Sequence, residues 1–145
     1  MNKKSLASIL IVDDNGTMRA LLRGILRSEE HVDYEVIGTA SDCENAMEQV
    51  TKLRPDIVCL DILMPKGNGL DVLRKIRAEM PQTVVLMVTG SSDSATVNDA
   101  LENGASGYIL KPYNSATVLS MIAQAVEKSR ALKAEAAKAP DRSAP

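Results

Sequence analysis

The run Ile57-Val58-Cys59-Leu60 ends on a carboxylate, Asp61, and is followed by the turn formers Pro65, Gly67 and Gly69. An unbroken apolar run rich in β-branched side chains reads as a strand buried on both faces. Such a strand fits a parallel sheet covered by helices on either side once strands and helices alternate along the chain. The turn formers leave Asp61 at the strand's C-terminal lip. In open α/β sheets that lip is where ligands bind, so an acid there is a candidate nucleophile or metal ligand.

The rest of the chain alternates accordingly. Ser8 to Val12 is a first strand, closed by Asp13-Asp14-Asn15-Gly16. Met18, Leu21, Leu22, Ile25 and Leu26 then repeat at helical spacing, with Arg19, Arg23 and Arg27 on the opposite face as a solvated stripe. Tyr34 to Ala40 is a second strand. Ser41 and Glu44 have the spacing of a capping box for a helix that carries Cys43, Ala46, Met47, Val50 and Leu53 inward and stops at Pro55. After Asp61, a helix marked by Leu70, Leu73, Ile76 and Met80 closes at Pro81. Thr83 to Val88 is a fourth buried strand, ending at Thr89-Gly90. The stretch from Ser91 to Ser94 offers N-caps for a short helix that ends near Asn103-Gly104. Gly107 to Leu110 is a fifth strand that runs into Lys111-Pro112. The last helix starts near Asn114 and is expected to bury Val118, Leu119, Ile122, Ala123 and Val126. The expected architecture is α/β: a doubly wound sheet of five parallel strands with five helices. The expected organisation is an arm over 1–7, one domain over 8–130, and an Ala- and Pro-rich tail over 131–145 that continues the helix briefly and then frays.

Composition excludes several functions. A net charge of −2 gives no electrostatic case for direct nucleic-acid or membrane binding. No apolar run approaches the roughly 20 residues of a membrane helix, and the N-terminus does not read as a signal peptide, so a cytoplasmic location is expected. Cys43 and Cys59 lack disulfide-framework or zinc spacing and read as small core residues. The absence of Trp and Phe argues against a flavin or base-stacking site. His31 reads as a solvated loop residue.

In a parallel sheet all C-terminal strand ends share one edge. Asp13, Asp14, Asp61, Thr89 and Lys111 therefore converge. Each alone has an ordinary reading: Asp13-Asp14 as a capping turn, Thr89 as a strand-end residue, Lys111-Pro112 as a structural turn. Together they form an acidic cluster whose mutual repulsion asks for a cation, and an all-oxygen set suits Mg²⁺. A cation, an ammonium and a hydroxyl around a carboxylate are what a transferring phosphoryl group needs, with the carboxylate as acceptor. No nucleotide cradle of the Gly-x4-Gly-Lys-Ser/Thr type is present, so the donor is expected to be a phosphorylated group on another molecule.

These residues closely resemble the CheY-like receiver domain of bacterial two-component response regulators. The resemblance rests on Asp13-Asp14, on Asp61 with Met64-Pro65 and Gly69, on Thr89-Gly90, and on Gly107-Tyr108-Ile109-Leu110-Lys111-Pro112, and it spans residues 8 to about 128. It implies the flavodoxin-like strand order 2-1-3-4-5. It implies that Asp61 accepts a phosphoryl group from a histidine kinase or phosphotransfer protein. Asp13 (through water), Asp14, Asp61 and the backbone carbonyl of Leu63 would hold Mg²⁺. Lys111 would pair with the phosphoryl group, and its peptide bond to Pro112 would be cis. Thr89 would turn toward the phosphoryl oxygens and let the Tyr108 switch rotate inward, reshaping the face of the fourth helix, fifth strand and fifth helix for a downstream target protein. Leu63 and Ser91 would flank the path of the hydrolytic water. Such a protein catalyses its own phosphorylation and dephosphorylation without being a turnover enzyme. Cys43 and Tyr113 depart from the Gly and Phe frequent in the family. Residues 15–19 resemble chemotaxis-type receivers, and residues 104–108 resemble receivers of transcription factors.

The leading expectation is a stand-alone phosphorylation-dependent switch. The alternatives are a transcriptional regulator's receiver, a phosphate sink, and a phosphorylation-independent adaptor. A phosphatase of the aspartate type would show Asp-x-Asp after the first strand, and a flavodoxin-like redox protein would show a Ser/Thr/Gly phosphate loop. Neither pattern occurs after Val12.

Overall fold

The computed structural model describes residues 6–30, 32–64, 67–90 and 94–138. The readings of His31, Pro65 and Ser91, of most of the N-terminal arm and of residues 139–145 lie outside them. The chain alternates as β1 Ala7–Val12, α1 Gly16–Arg27, β2 Tyr34–Ala40, α2 Cys43–Leu53, β3 Ile57–Asp61, α3 Gly69–Glu79, β4 Val84–Thr89, α4 Ser94–Glu102, β5 Gly107–Leu110 and α5 Ser115–Lys138. These five strands form one parallel sheet ordered 2-1-3-4-5. A two-residue antiparallel ribbon pairs Leu63–Met64 with Gly67–Asn68, a feature the sequence pattern does not announce. It fills the connection between β3 and α3.

Strand periodicity divides the core into two. Leu10, Val12, Val58, Leu60, Val85 and Met87 face α2 and α3, where Ala46, Val50, Val72, Leu73 and Ile76 meet them. The intervening residues Ile9, Ile11, Ile57, Cys59, Leu86 and Val88 face α1 and α5, against Leu22, Leu26, Val118, Ile122 and Val126. Each Leu or Ile so buried contributes about 1.5–3 kcal/mol before its entropy cost. A one-residue slip would exchange the two sets.

Three local expectations need correction. The N-cap of α2 is Asp42, not Ser41: its carboxylate accepts the Asn45 amide at 2.7 Å, so the expected capping box is replaced by a simple aspartate cap. Leu21 is 45 % exposed, because the inward stripe of α1 is Leu22, Ile25 and Leu26 and leaves Leu21 at its edge. Ala123 is exposed, whereas Ala125 and Ser129 are buried. The stripe of α5 runs 118, 122, 125, 126, 129, and Ala123 falls a third of a turn away from it.

α5 continues to Lys138, a span of about 36 Å over 24 residues. Its distal turns are tied to the N-terminal edge of the sheet. Lys133 Nζ lies 2.6 Å from Asp56 Oδ1, Arg130 Nη1 lies 3.2 Å from Asp33 Oδ2, and Leu132 packs on the core. Asp56 Oδ2 also accepts the Ser8 amide at 2.9 Å and the Ser8 hydroxyl at 3.2 Å. Burial alone would raise the Asp56 carboxyl, but Lys133 and Ser8 outweigh it and hold it below its usual value of 3.8. A depressed folded value stabilises the native state in full above 3.8 and is lost as pH falls through the folded value. Asp56→Asn is accordingly expected to cost about 1–3 kcal/mol in urea unfolding at pH 7, with the deficit shrinking as the medium is acidified below pH 4. Lys133→Met, at a half-exposed partner, should cost under about 1 kcal/mol.

Candidate functional site

Register brings the site together. Val12 pairs with Leu60, so the next residues, Asp13 and Asp61, leave the sheet side by side. Asp61 pairs with Val88, which places Thr89 one step beyond it, and Thr89 pairs with Leu110, whose successor is Lys111. The Lys111 amide donates to the Thr89 carbonyl at 2.8 Å, and the Lys111–Pro112 peptide is cis.

Carboxylate oxygens of Asp13, Asp14 and Asp61 lie within 4.8 Å of one another, with Asp13 and Asp61 buried and Asp14 exposed. Lys111 Nζ sits 2.8 Å from Asp13 Oδ2 and 3.2 Å from Asp61 Oδ2. One ammonium thus pairs with two of the three acids. Asp13 Oδ1 accepts the Asn15 amide at 2.9 Å, and Asp61 Oδ1 accepts the Leu63 amide at 3.2 Å. Asp13 Oδ2 is buried with no hydrogen bond directed at it; the nearby ammonium makes an ion pair of poor direction. A buried, under-satisfied oxygen beside two further carboxylates is the donor set a hard divalent cation takes. The residues present therefore fit Mg²⁺.

Burial raises the Asp61 carboxyl above its ordinary value; Lys111 opposes the shift and Asp13 adds to it. For Lys111, burial works against the charge, but the pairing with Asp13 and Asp61 prevails and the net shift is upward. The ammonium therefore stays charged. Tyr113 is raised as well, first by burial and then by the charges of Asp13 and Asp61. Buried Cys59, beneath this lip, is pushed up to about 12 and is inert as a thiol nucleophile.

The structure gathers Asp13, Asp14, Asp61 and Lys111 into direct proximity and sets buried Thr89 on the adjoining strand end. Tyr108 is 41 % exposed and points away from the core, and Leu63 is 77 % exposed. Two participants were not recognised from sequence. Arg19, read as part of a wet stripe, is half-buried and donates through Nη1 to the Asp13 carbonyl at 2.6 Å. Asn15 caps α1 by accepting the Met18 amide, while its own amide holds Asp13. An arginine six residues after the acid was the available signal, hidden because Arg23 and Arg27 share its spacing.

The same architecture recurs in known proteins. Residues 9–123 match the family model described as response regulator receiver domain. The chain belongs to that family. Among curated relatives, this receiver is 40 % identical over 114 residues to the transcriptional regulatory protein LnrK of Bacillus subtilis, covering 79 % of this chain and 51 % of LnrK. It is 34 % identical over 119 residues to the chemotaxis protein CheY of Listeria monocytogenes, covering 82 % and 98 %. The crystal structure of the NtrX receiver domain from Brucella abortus superposes with a TM-score of 0.74 at 32 % identity, over 82 % of this chain and 98 % of that one. The receiver thus spans about half of LnrK and nearly all of CheY. Receivers of this fold are the phosphoryl-accepting signalling modules of two-component systems, and no helix among the described residues is long and apolar enough to cross a membrane.

Gly69 explains the spacing after the acid. A Cβ there would collide with the Asp61 carbonyl oxygen and stand 2.8 Å from Ile62 Cα, both rigid backbone. Gly69→Ala should therefore destabilise the receiver by about 1–3 kcal/mol and displace the Asp61 loop, visible as altered amide chemical shifts at 61–63. The raised Asp61 value means the native state is penalised above that value and unpenalised below 3.8. In EDTA, Asp61→Asn should raise the melting temperature at pH 7, the gain fading as pH falls toward 3.8.

Proposed function

We propose that this receiver accepts a phosphoryl group on Asp61 from the phosphohistidine of a histidine kinase or phosphotransfer protein, and signals through phosphorylation-dependent protein contact. The observation that carries the reading is the pairing of Val12 with Leu60, whose successors Asp13 and Asp61 share one ammonium with Asp14 beside them. An Asp61 oxygen attacks phosphorus in line as the phosphorus–nitrogen bond to the donor imidazole breaks. The imidazole leaves with the electron pair and is protonated by solvent. Lys111 holds the carboxylate beforehand and can follow an equatorial phosphoryl oxygen afterwards. Thr89, at the end of the neighbouring strand, supplies a hydroxyl to another. Asp13, Asp14, Asp61 and the Leu63 carbonyl would hold Mg²⁺. When bound, that ion neutralises the carboxylates and the incoming phosphoryl charge. Hydrolysis by water restores the free acid, so the receiver catalyses its own turnover of phosphate without being an enzyme for others.

The output reading rests on the groove between α4, β5 and α5. It has a volume of about 620 Å³, is bordered by Leu101, Tyr108, Leu110, Pro112 and Met121, and has no charged residue among the described residues that line it. Exposed Tyr108 is positioned to turn inward when Thr89 moves, changing the shape of an apolar face that suits a protein target in the cytoplasm. Relatives named for transcription and for chemotaxis leave both outputs within this reading.

The deciding experiment is intact mass after exposure to acetyl phosphate, with and without Mg²⁺. One phosphoryl gain that requires Mg²⁺ and disappears in Asp61→Asn is expected. No gain, or an equal gain in Asp61→Asn, would overturn the assignment and leave a phosphorylation-independent adaptor.

A further inference from the structure

The turn that carries Asp13 and Asp14 is held by a closed set of bonds. The Asp13 amide donates to the Ala40 carbonyl at 3.0 Å, anchoring the end of β1 to β2. The Asn15 amide returns to Asp13 Oδ1 at 2.9 Å. The Asn15 side chain accepts the Met18 amide at 3.1 Å, and the Arg19 amide donates to the Asn15 carbonyl at 3.0 Å, starting α1. The Arg19 side chain then reaches back across the first turn to the Asp13 carbonyl at 2.6 Å. Its guanidinium lies across Gly16, where an added Cβ would already touch Nη2 at 3.4 Å.

A cation in the first turn of a helix opposes the macrodipole, and α1 has no acidic residue in that turn to offset it. Arg23 and Arg27 repeat the spacing but are exposed and make no such bond among the described residues. Arg19 alone of the three is half-buried, and it is bonded to the backbone of a site acid. The Asp13 carbonyl belongs to the peptide that joins Asp13 to Asp14. Rotation of that peptide would pull Asp13 Oδ1 from the Asn15 amide and re-aim the exposed Asp14 carboxylate.

We propose that Arg19 is a positioning residue for the divalent-cation pocket: its bond to the Asp13 carbonyl fixes the Asp13–Asp14 peptide and thereby the direction in which both carboxylates offer their oxygens. The proposal rests on the Mg²⁺ reading above. It has a distinctive sign. Through charge alone, a guanidinium beside the pocket repels a divalent cation, so removing it would tighten binding. Through geometry, removing it weakens binding. Outer partners that orient metal ligands commonly change affinity about 10–100-fold when lost.

The test is calorimetric titration of MgCl₂ into the full chain at pH 7, with no phosphodonor, for wild type, Arg19→Met, Arg19→Gln and Arg23→Met. Arg19→Met and Arg19→Gln should each bind Mg²⁺ about 10-fold or more weakly, while Arg23→Met, with the same loss of charge, should bind as wild type or slightly tighter. In EDTA, the amides of residues 13–16 should exchange faster in the Arg19 variants, with melting curves showing an intact fold. If Arg19→Met does not fold, Arg19→Gln carries the same test. Binding by a folded Arg19 variant as tight as that of Arg23→Met would overturn the positioning role and leave the Mg²⁺ reading intact. Absence of Mg²⁺ binding by wild type would overturn both.

Discussion

Three carboxylates gathered at the end of a parallel sheet, with one ammonium paired to two of them, are the constraint on which the site depends. Asp13 and Asp61 are buried, so their charges are weakly screened, and Lys111 can neutralise only part of them. The folded chain bears this imbalance because the sheet leaves no choice. Once Val12 lies beside Leu60 in register, both acids emerge together. The register is in turn held by two cores of interleaved aliphatic side chains. Stability generated across the whole sheet sustains a locally repulsive cluster, a tension that a cation would relieve.

Most of the architecture was legible from sequence because continuous apolar runs such as Ile57 to Leu60 have few alternatives, and turn formers mark where each run stops. Acids at strand ends were legible for the same reason: strand direction alone brings them to one edge. What escaped was detail set by competition between neighbours. Ser41 and Asp42 both suit an N-cap, and only the observed bond to the Asn45 amide decides for Asp42. Leu21 and Leu22 both suit an inner helical face, as do Ala123 and Ala125. A few tens of degrees of helix rotation choose between them, and sequence spacing does not encode that rotation.

Arg19 shows a different limit. Its period matches Arg23 and Arg27, so a surface stripe was the simplest reading of all three. The distinction lies in a bond to a backbone carbonyl, which the shared spacing of the three arginines conceals. Gly69 is the converse case. Its place in the motif was visible, whereas its reason, contact with the Asp61 and Ile62 backbone, appears only in three dimensions.

The aromatic inventory has a practical consequence. With no Trp and no Phe, aromatic near-ultraviolet absorption and emission come from Tyr34, Tyr108 and Tyr113 alone. Tyr34 is tethered by its hydroxyl to the Leu26 carbonyl, 3.0 Å away, on the far side of the sheet from α4. Tyr113 feels the charges of Asp13 and Asp61, and Tyr108 borders the apolar groove. Two of the three chromophores therefore sit where charge and shape would change. The unlabelled protein carries its own optical probes, one sensing the acids and one at the rim of the groove.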